Sequence, residues 1–204
     1  MRILGPSEYS FEIEHSRFIG LVYRIFTVEE AKEYLTQVKK KYSDATHIVH
    51  AYRIGDTIAH SSDDHEPSGT AGVPIREVLE KNDLTDVIAI VVRYYGGVKL
   101  GAGGLARAYT KAVSGALDLA TFTQPSIMHE YALTLDYSLL SKAQSLTKKQ
   151  FTLIKVEYEV LPTITFRAKD DPTMIVQELT NGKYPLKDLG EVTVELISRR
   201  PLKN

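Results

Sequence analysis

The sequence predicts an α+β protein built from two units, on three observations. The chain has 204 residues, a length that suits a main domain and a smaller companion. Strand-type alternation and helix-type spacing follow one another along its whole length. Both patterns break at residues 121–126, around Pro125. The expected domains are therefore 1–124 and 127–204. Apolar residues make up 43% of the chain and charged residues 25%, the balance of a folded globular protein.

In the first unit, residues 9–14 and 18–26 alternate around a polar turn and read as an opening hairpin. Thr27 and Glu30 stand in capping-box spacing, and Ala31, Tyr34, Leu35, Val38 and Tyr42 recur every three or four residues, which predicts a helix with one buried stripe. Strands over 47–54 and 57–61 flank Gly55-Asp56, a hairpin-turn dipeptide. Pro74 suits the first turn of a short helix that carries Ile75, Val78 and Leu79 inward. Residues 87–92, VIAIVV, form the unbroken apolar run of a central strand. A helix over 104–120 follows the glycines and packs closely through Leu105, Ala108, Ala112, Val113, Ala116 and Leu117.

The second unit reads as a strand at 129–137, a helix at 138–150, strands at 152–161 and 163–168 joined by Pro162, a helix opened by Asp171-Pro172, and a closing strand at 191–198. That succession is βαββαβ, the ferredoxin-like order.

Composition narrows the function. Twenty-five Lys and Arg against 26 Asp and Glu leave a net charge of −1, so attraction to a polyanion has to come from a local patch. The absence of cysteine excludes disulfides, thiol catalysis and cysteine zinc sites. The opening MRILGPSEYSFEIE lacks the regions of a signal peptide, and no apolar run approaches a membrane span of roughly 20 residues. A cytoplasmic protein without membrane contact is expected.

The chemistry concentrates at residues 61–107. The run RYYGGVKLGAGG places five glycines at 96–104 between a buried strand and a helix. Glycines permit close backbone approach, so amides of Gly96, Gly97, Gly101, Gly103 and Gly104 are expected to face an anion beside a helix N-terminus. Arg93, Lys99 and Arg107 would add full charges, and Tyr94, Tyr95 and Tyr109 ring faces or hydroxyls for bases. The lysine-threonine or lysine-serine ending of a Walker loop is absent, and the match of Gly101, Gly103 and Ala106 to a dinucleotide fingerprint lacks its acidic partner.

The second run is SSDDHEPSGTAG at 61–72. Asp63, Asp64 and Glu66 are expected to support the binding surface by pairing with Arg93 or Arg107, with Mg²⁺ beside a phosphate as the alternative. His47, His50, His60 and His65 share the neighbourhood, but strand alternation sends His47 and His50 to opposite faces, against a zinc site.

The stretches DDHEPSGTAGVPIREVL and VIAIVVRYYGGVKLGAGGLARAYTKAV, with AYRIG at 51–55, resemble the IMPACT family, including its YigZ-like bacterial members. The resemblance implies an N-terminal fold shared with a ribosomal-protein domain and domain IV of elongation factor G, and a ferredoxin-like C-terminal domain. It implies a role in translational control and carries no catalytic residues. His65 stands where the family pattern usually has glycine.

Together these readings predict an RNA- or ribosome-binding regulator of translation that needs no cofactor, with a further protein partner at the C-terminal domain open. The alternative is an enzyme that binds a nucleotide or phosphorylated metabolite at the glycine loop with Mg²⁺.

Overall fold

A computed structural model of the chain describes residues 1–198. It divides into two compact units, Met1–Gln124 together with Ile197 and Ser198, and Pro125–Leu196.

The first unit is an antiparallel sheet covered on both faces. Its strands are β2 (Ser7–Ile13), β3 (Ser16–Arg24), β4 (His47–Ile54), β5 (Ile58–Ser62) and β6 (Val87–Tyr94), in the order β2-β3-β6-β4-β5. Helix α1 (Val28–Lys41) covers one face, where Ala31 and Val38 join Ile19, Leu21, Ile48, Ile88, Ile90 and Val92. The Thr27 and Glu30 capping box expected for it is present. Helices α2 (Gly72–Lys81) and α3 (Gly101–Asp118) cover the other, where Ile75, Leu79, Ala112 and Val113 meet Phe18, Val22, Val49, Val87, Ala89 and Val91. Strand β6 is buried on both sides, which is why VIAIVV shows no polar alternation.

One consequence of register governs the site. Residues 87, 89 and 91 face α2 and α3, so Arg93 continues that row inward. Phe18 and His47 are its partners on the flanking strands. Three side chains thus line up beneath the start of α3.

The larger departures from expectation fall in four places. Helix α3 begins at Gly101 rather than 104, so Gly101, Gly103 and Gly104 form its first turn instead of a loop. Packing of Leu105, Ala108 and Tyr109 supplies the stability that glycine propensity lacks. The break at 121–126 is a strand: β7 (Phe122–Thr134) pairs at Phe122 and Thr123 with β1 (Arg2–Ile3), and Pro125 falls between those residues and the ones paired to β9 (Thr163–Ala168). Strand β8 (Thr152–Glu157) stops before 161, and β10 (Leu186–Ser198) starts before 191.

In the second unit α4 (Tyr137–Gln150) and α5 (Thr173–Thr180) alternate with β7, β8, β9 (Thr163–Ala168) and β10, and the strand order is β10-β7-β9-β8. Its core holds Tyr131, Leu133, Ile164, Phe166, Val176 and Leu179. Residues 199–204 of the expected second domain lie outside the described residues. No described helix is long and apolar enough to cross a membrane.

Candidate functional site

The 63–72 segment runs from β5 into α2 and is held by its own carboxylates. Asp63 Oδ2 accepts from the Gly69 amide at 2.9 Å, and Oδ1 accepts from the Ala71 and Gly72 amides at 3.0 and 2.8 Å. Burial pushes the Asp63 carboxyl up, but the three amides together outweigh it and hold the group below its usual value. Asp64 Oδ2 accepts from the Ile48 amide at 2.6 Å, and the Asp64 carbonyl lies 2.8 Å from His47 Nδ1. Asp64 and His65 have φ of +42° and +69°, a left-handed turn that explains why a glycine suits position 65.

Because the folded pKa of Asp63 is depressed, its contribution to stability is present above the unfolded value near 3.8 and is lost as pH falls through the folded one. Asp63→Asn is therefore expected to lower stability at neutral pH and to converge on the parent protein in acid. Denaturant midpoints of both proteins from pH 7 down to about pH 2.5 check this. A gap between them that stays constant with pH would contradict it.

Glu66 is 8% exposed. Its Oε1 accepts from Arg93 Nη1 at 2.5 Å and from the Tyr109 hydroxyl at 2.7 Å, with His47 Nε2 at 3.8 Å. Burial, then the bond to Glu66, pushes the Tyr109 hydroxyl far above its usual range, so it stays a donor. Asp63, Asp64 and Glu66 are thus all engaged inside the protein: both Asp63 oxygens and Asp64 Oδ2 accept backbone amides, and Glu66 Oε1 accepts from Arg93 and Tyr109. Among the described residues no group of three or more His, Cys, Asp or Glu side chains is placed to hold a metal ion.

Three basic or aromatic assignments need correction. Arg93, expected at the surface, is 4% exposed. Its guanidinium pairs with Glu66, donates to Ser16 Oγ at 3.5 Å, and lies over the Phe18 and Tyr95 rings at 5.3 and 5.2 Å. The strand phase that turns it inward makes it part of the brace. Tyr94 takes the opposite phase, packs on the α1 face and donates its hydroxyl to Asp44 at 2.9 Å. Tyr109 is fully buried and cannot meet a base.

What reaches the surface is a narrower set. Tyr95 is 43% exposed, and its amide donates to Thr46 Oγ1. The Gly96 amide donates to Ser16 Oγ at 3.1 Å, so it is tied inward, while Gly97 is exposed. Lys99 and Arg107 are exposed and have no ion-pair partner among the described residues. The Arg107 guanidinium folds back over the first turn of α3, 3.4 Å from where a Cβ on Gly103 would lie. No side chain caps that turn, and Gly101, Ala102 and Gly103 are exposed.

Two depressions flank this turn. A cavity of about 400 Å³ lies among His47, Glu66, Arg93, Tyr95, Lys99 and Ala102. A groove of about 630 Å³ runs along α3 past Phe11, Ile13, Val98, Lys99, Arg107 and Lys111. Lys111 Nζ sits 4.4 Å from the Phe11 ring centroid. Sequence reasoning missed Lys111 and Ser16, and weighed His47 only as a zinc ligand. The i,i+4 spacing of Arg107 and Lys111 was the available signal for the first; the other two are set by sheet register alone.

These features define a mixed α/β protein whose N-terminal unit presents a basic helix start on a rigid internal ion-pair network. The Impact N-terminal domain matches residues 14–117, and the chain belongs to the IMPACT family. It is 42% identical over 193 residues to IMPACT family member YvyE of Bacillus subtilis (strain 168), covering 91% of this chain and 88% of that one. IMPACT family member YigZ of Escherichia coli (strain K12) is 37% identical over 139 residues, covering 66% and 68%. The crystal structure of a hypothetical protein aligns with a TM-score of 0.59 at 30% identity over 90% of this chain and 94% of its own.

Proposed function

We propose that this protein binds RNA in the setting of translation, through the basic start of α3, and acts by occupancy rather than catalysis. The observation that carries the reading is that Lys99 and Arg107, both exposed and without an ion-pair partner among the described residues, line one groove at an uncapped helix start with exposed small residues. Phosphate is the anion such a surface suits, because full charges and the helix dipole add where no side chain competes. Lys111 extends the charge one turn along the groove. The charge is local, which a chain of net charge −1 requires.

The proposed domains are 1–124, sharing the ribosomal-protein and elongation factor G domain IV fold, and 127–204, a ferredoxin-like domain. The strand order β10-β7-β9-β8 supports the second assignment. A cytoplasmic ribosome or its RNA is the proposed partner.

Cosedimentation with ribosomes and titration with single-stranded RNA test this. Binding is expected to weaken with salt, and Lys99→Ala with Arg107→Ala should lower the slope of log K against log salt by about 1.4, the loss of two contacts to a single strand. An unchanged affinity and slope in the double variant would remove the proposal.

A further inference from the structure

The groove and the cavity differ in what they can hold, although both include Lys99. The groove follows α3 and suits a chain passing across it. The cavity, about 400 Å³, has the size of a pocket for one small ligand. We propose that it is a binding site for a phosphomonoester: a mononucleotide, or the phosphorylated end of an RNA. Only the RNA source rests on the function proposed above.

Charge accounting leads to an anion. Glu66 is the acid in the wall, and it is matched by Arg93 and by the Tyr109 hydroxyl. The remaining charge is positive: Lys99 at the rim and the uncapped start of α3, with Gly101 and Ala102 in the lining. Independently of the helix end, Arg93 lines the cavity at 4% exposure, and its Nε has no hydrogen-bond partner among the described residues. Glu66 takes Nη1 and Ser16 takes Nη2, so Nε is the buried guanidinium nitrogen left without an acceptor beside this wall.

His47 adds a polar edge. A carbonyl only accepts, so the bond to Asp64 places the hydrogen on Nδ1 and leaves Nε2 on the Glu66 side of the cavity. The lining also has an apolar part, formed by Pro67, Leu100 and Leu105 with the half-exposed Tyr95 ring. The guanidinium of Arg93 lies over that ring at 5.2 Å. A lining that mixes cationic groups with apolar and aromatic ones suits a nucleotide, its phosphate at Lys99 and the helix start and its base on the apolar residues. A monoester is preferred to an internal diester because it carries the extra charge and needs only one way in.

Calorimetry on the full chain with AMP, adenosine, and a short single-stranded RNA bearing either a 5′-phosphate or a 5′-hydroxyl tests the pocket. AMP is expected to bind and adenosine not to, and the 5′-phosphate should raise RNA affinity about tenfold, the worth of one good charge-assisted contact. Ala102→Phe, which fills the mouth from an exposed position, and Ala102→Glu, which puts a carboxylate there, should each abolish AMP binding. Ala102 belongs to the helix start proposed to meet RNA, so AMP binding is the readout for these two variants, with far-UV circular dichroism confirming that both fold. AMP binding that survives both variants overturns the proposal, as does no AMP binding with equal affinity for the two RNAs. In the second case the RNA reading still stands; if AMP binds and neither RNA does, the pocket stands and that reading falls.

Discussion

Replacing Glu66 by alanine is expected to destabilise the N-terminal unit by about 3–5 kcal/mol, the cost of leaving a buried charge without its partner. Arg93 and Glu66 have side chains 5% and 4% exposed, so water cannot replace the lost carboxylate. The fully buried Tyr109 hydroxyl loses its acceptor at the same time. Removing the pair together should behave differently: Glu66→Leu with Arg93→Met is expected to recover most of the loss, because two desolvated charges are replaced by packing. The chain has no tryptophan and 12 tyrosines, so urea unfolding is best followed by far-UV circular dichroism and tyrosine fluorescence. Two units need not unfold together, and hydrogen exchange at the β6 amides isolates the relevant one. A loss under about 1 kcal/mol for Glu66→Ala would mean that the pair is solvated and does not brace the site.

That ion pair also shows where sequence reading stopped. The capping box at Thr27, the Gly55 turn, the central strand and the helix after the glycines were all legible, because each depends on residues a few positions apart. The pairing of acidic and basic runs was legible as a possibility, but not which residues would meet. Whether Arg93 points out or in depends on one step of strand phase, and the end of β6 is where an apolar run stops giving that phase. Tyr94 and Tyr95 separate for the same reason, one packed toward α1 and one half-exposed. His47 and Ser16 reach the site only because β4 and β3 flank β6, information that lies 46 and 77 positions away in sequence from Arg93. The glycines misled in a specific way. Low helix propensity argued for a loop through 104, and the buried face beginning at Leu105 extended the helix over them instead.

Gly96→Ala is expected to destabilise the same unit by about 3 kcal/mol, the upper end for forced overpacking. A Cβ at that position would lie 2.0 Å from the His15 carbonyl carbon, 2.1 Å from its oxygen and 2.5 Å from the Ser16 amide nitrogen. Those atoms belong to the β2-β3 turn, where Glu14 and His15 already hold φ of +45° and +60°, so the turn has little room to yield. Any shift also strains the bonds from the Gly96 amide and from Arg93 to Ser16 Oγ. Gly97→Ala next door provides the contrast. Its φ is +88° and nothing lies within 4 Å of a Cβ there, so it meets only backbone strain, about 1–2 kcal/mol. The two should separate in RNA binding as well. Gly96→Ala moves the stem from which Lys99 reaches the helix start, whereas Gly97→Ala leaves the anchor to Ser16 intact. Midpoints and RNA affinities measured on both proteins decide the matter: equal losses would show that backbone conformation, and not contact with the β2-β3 turn, fixes this loop.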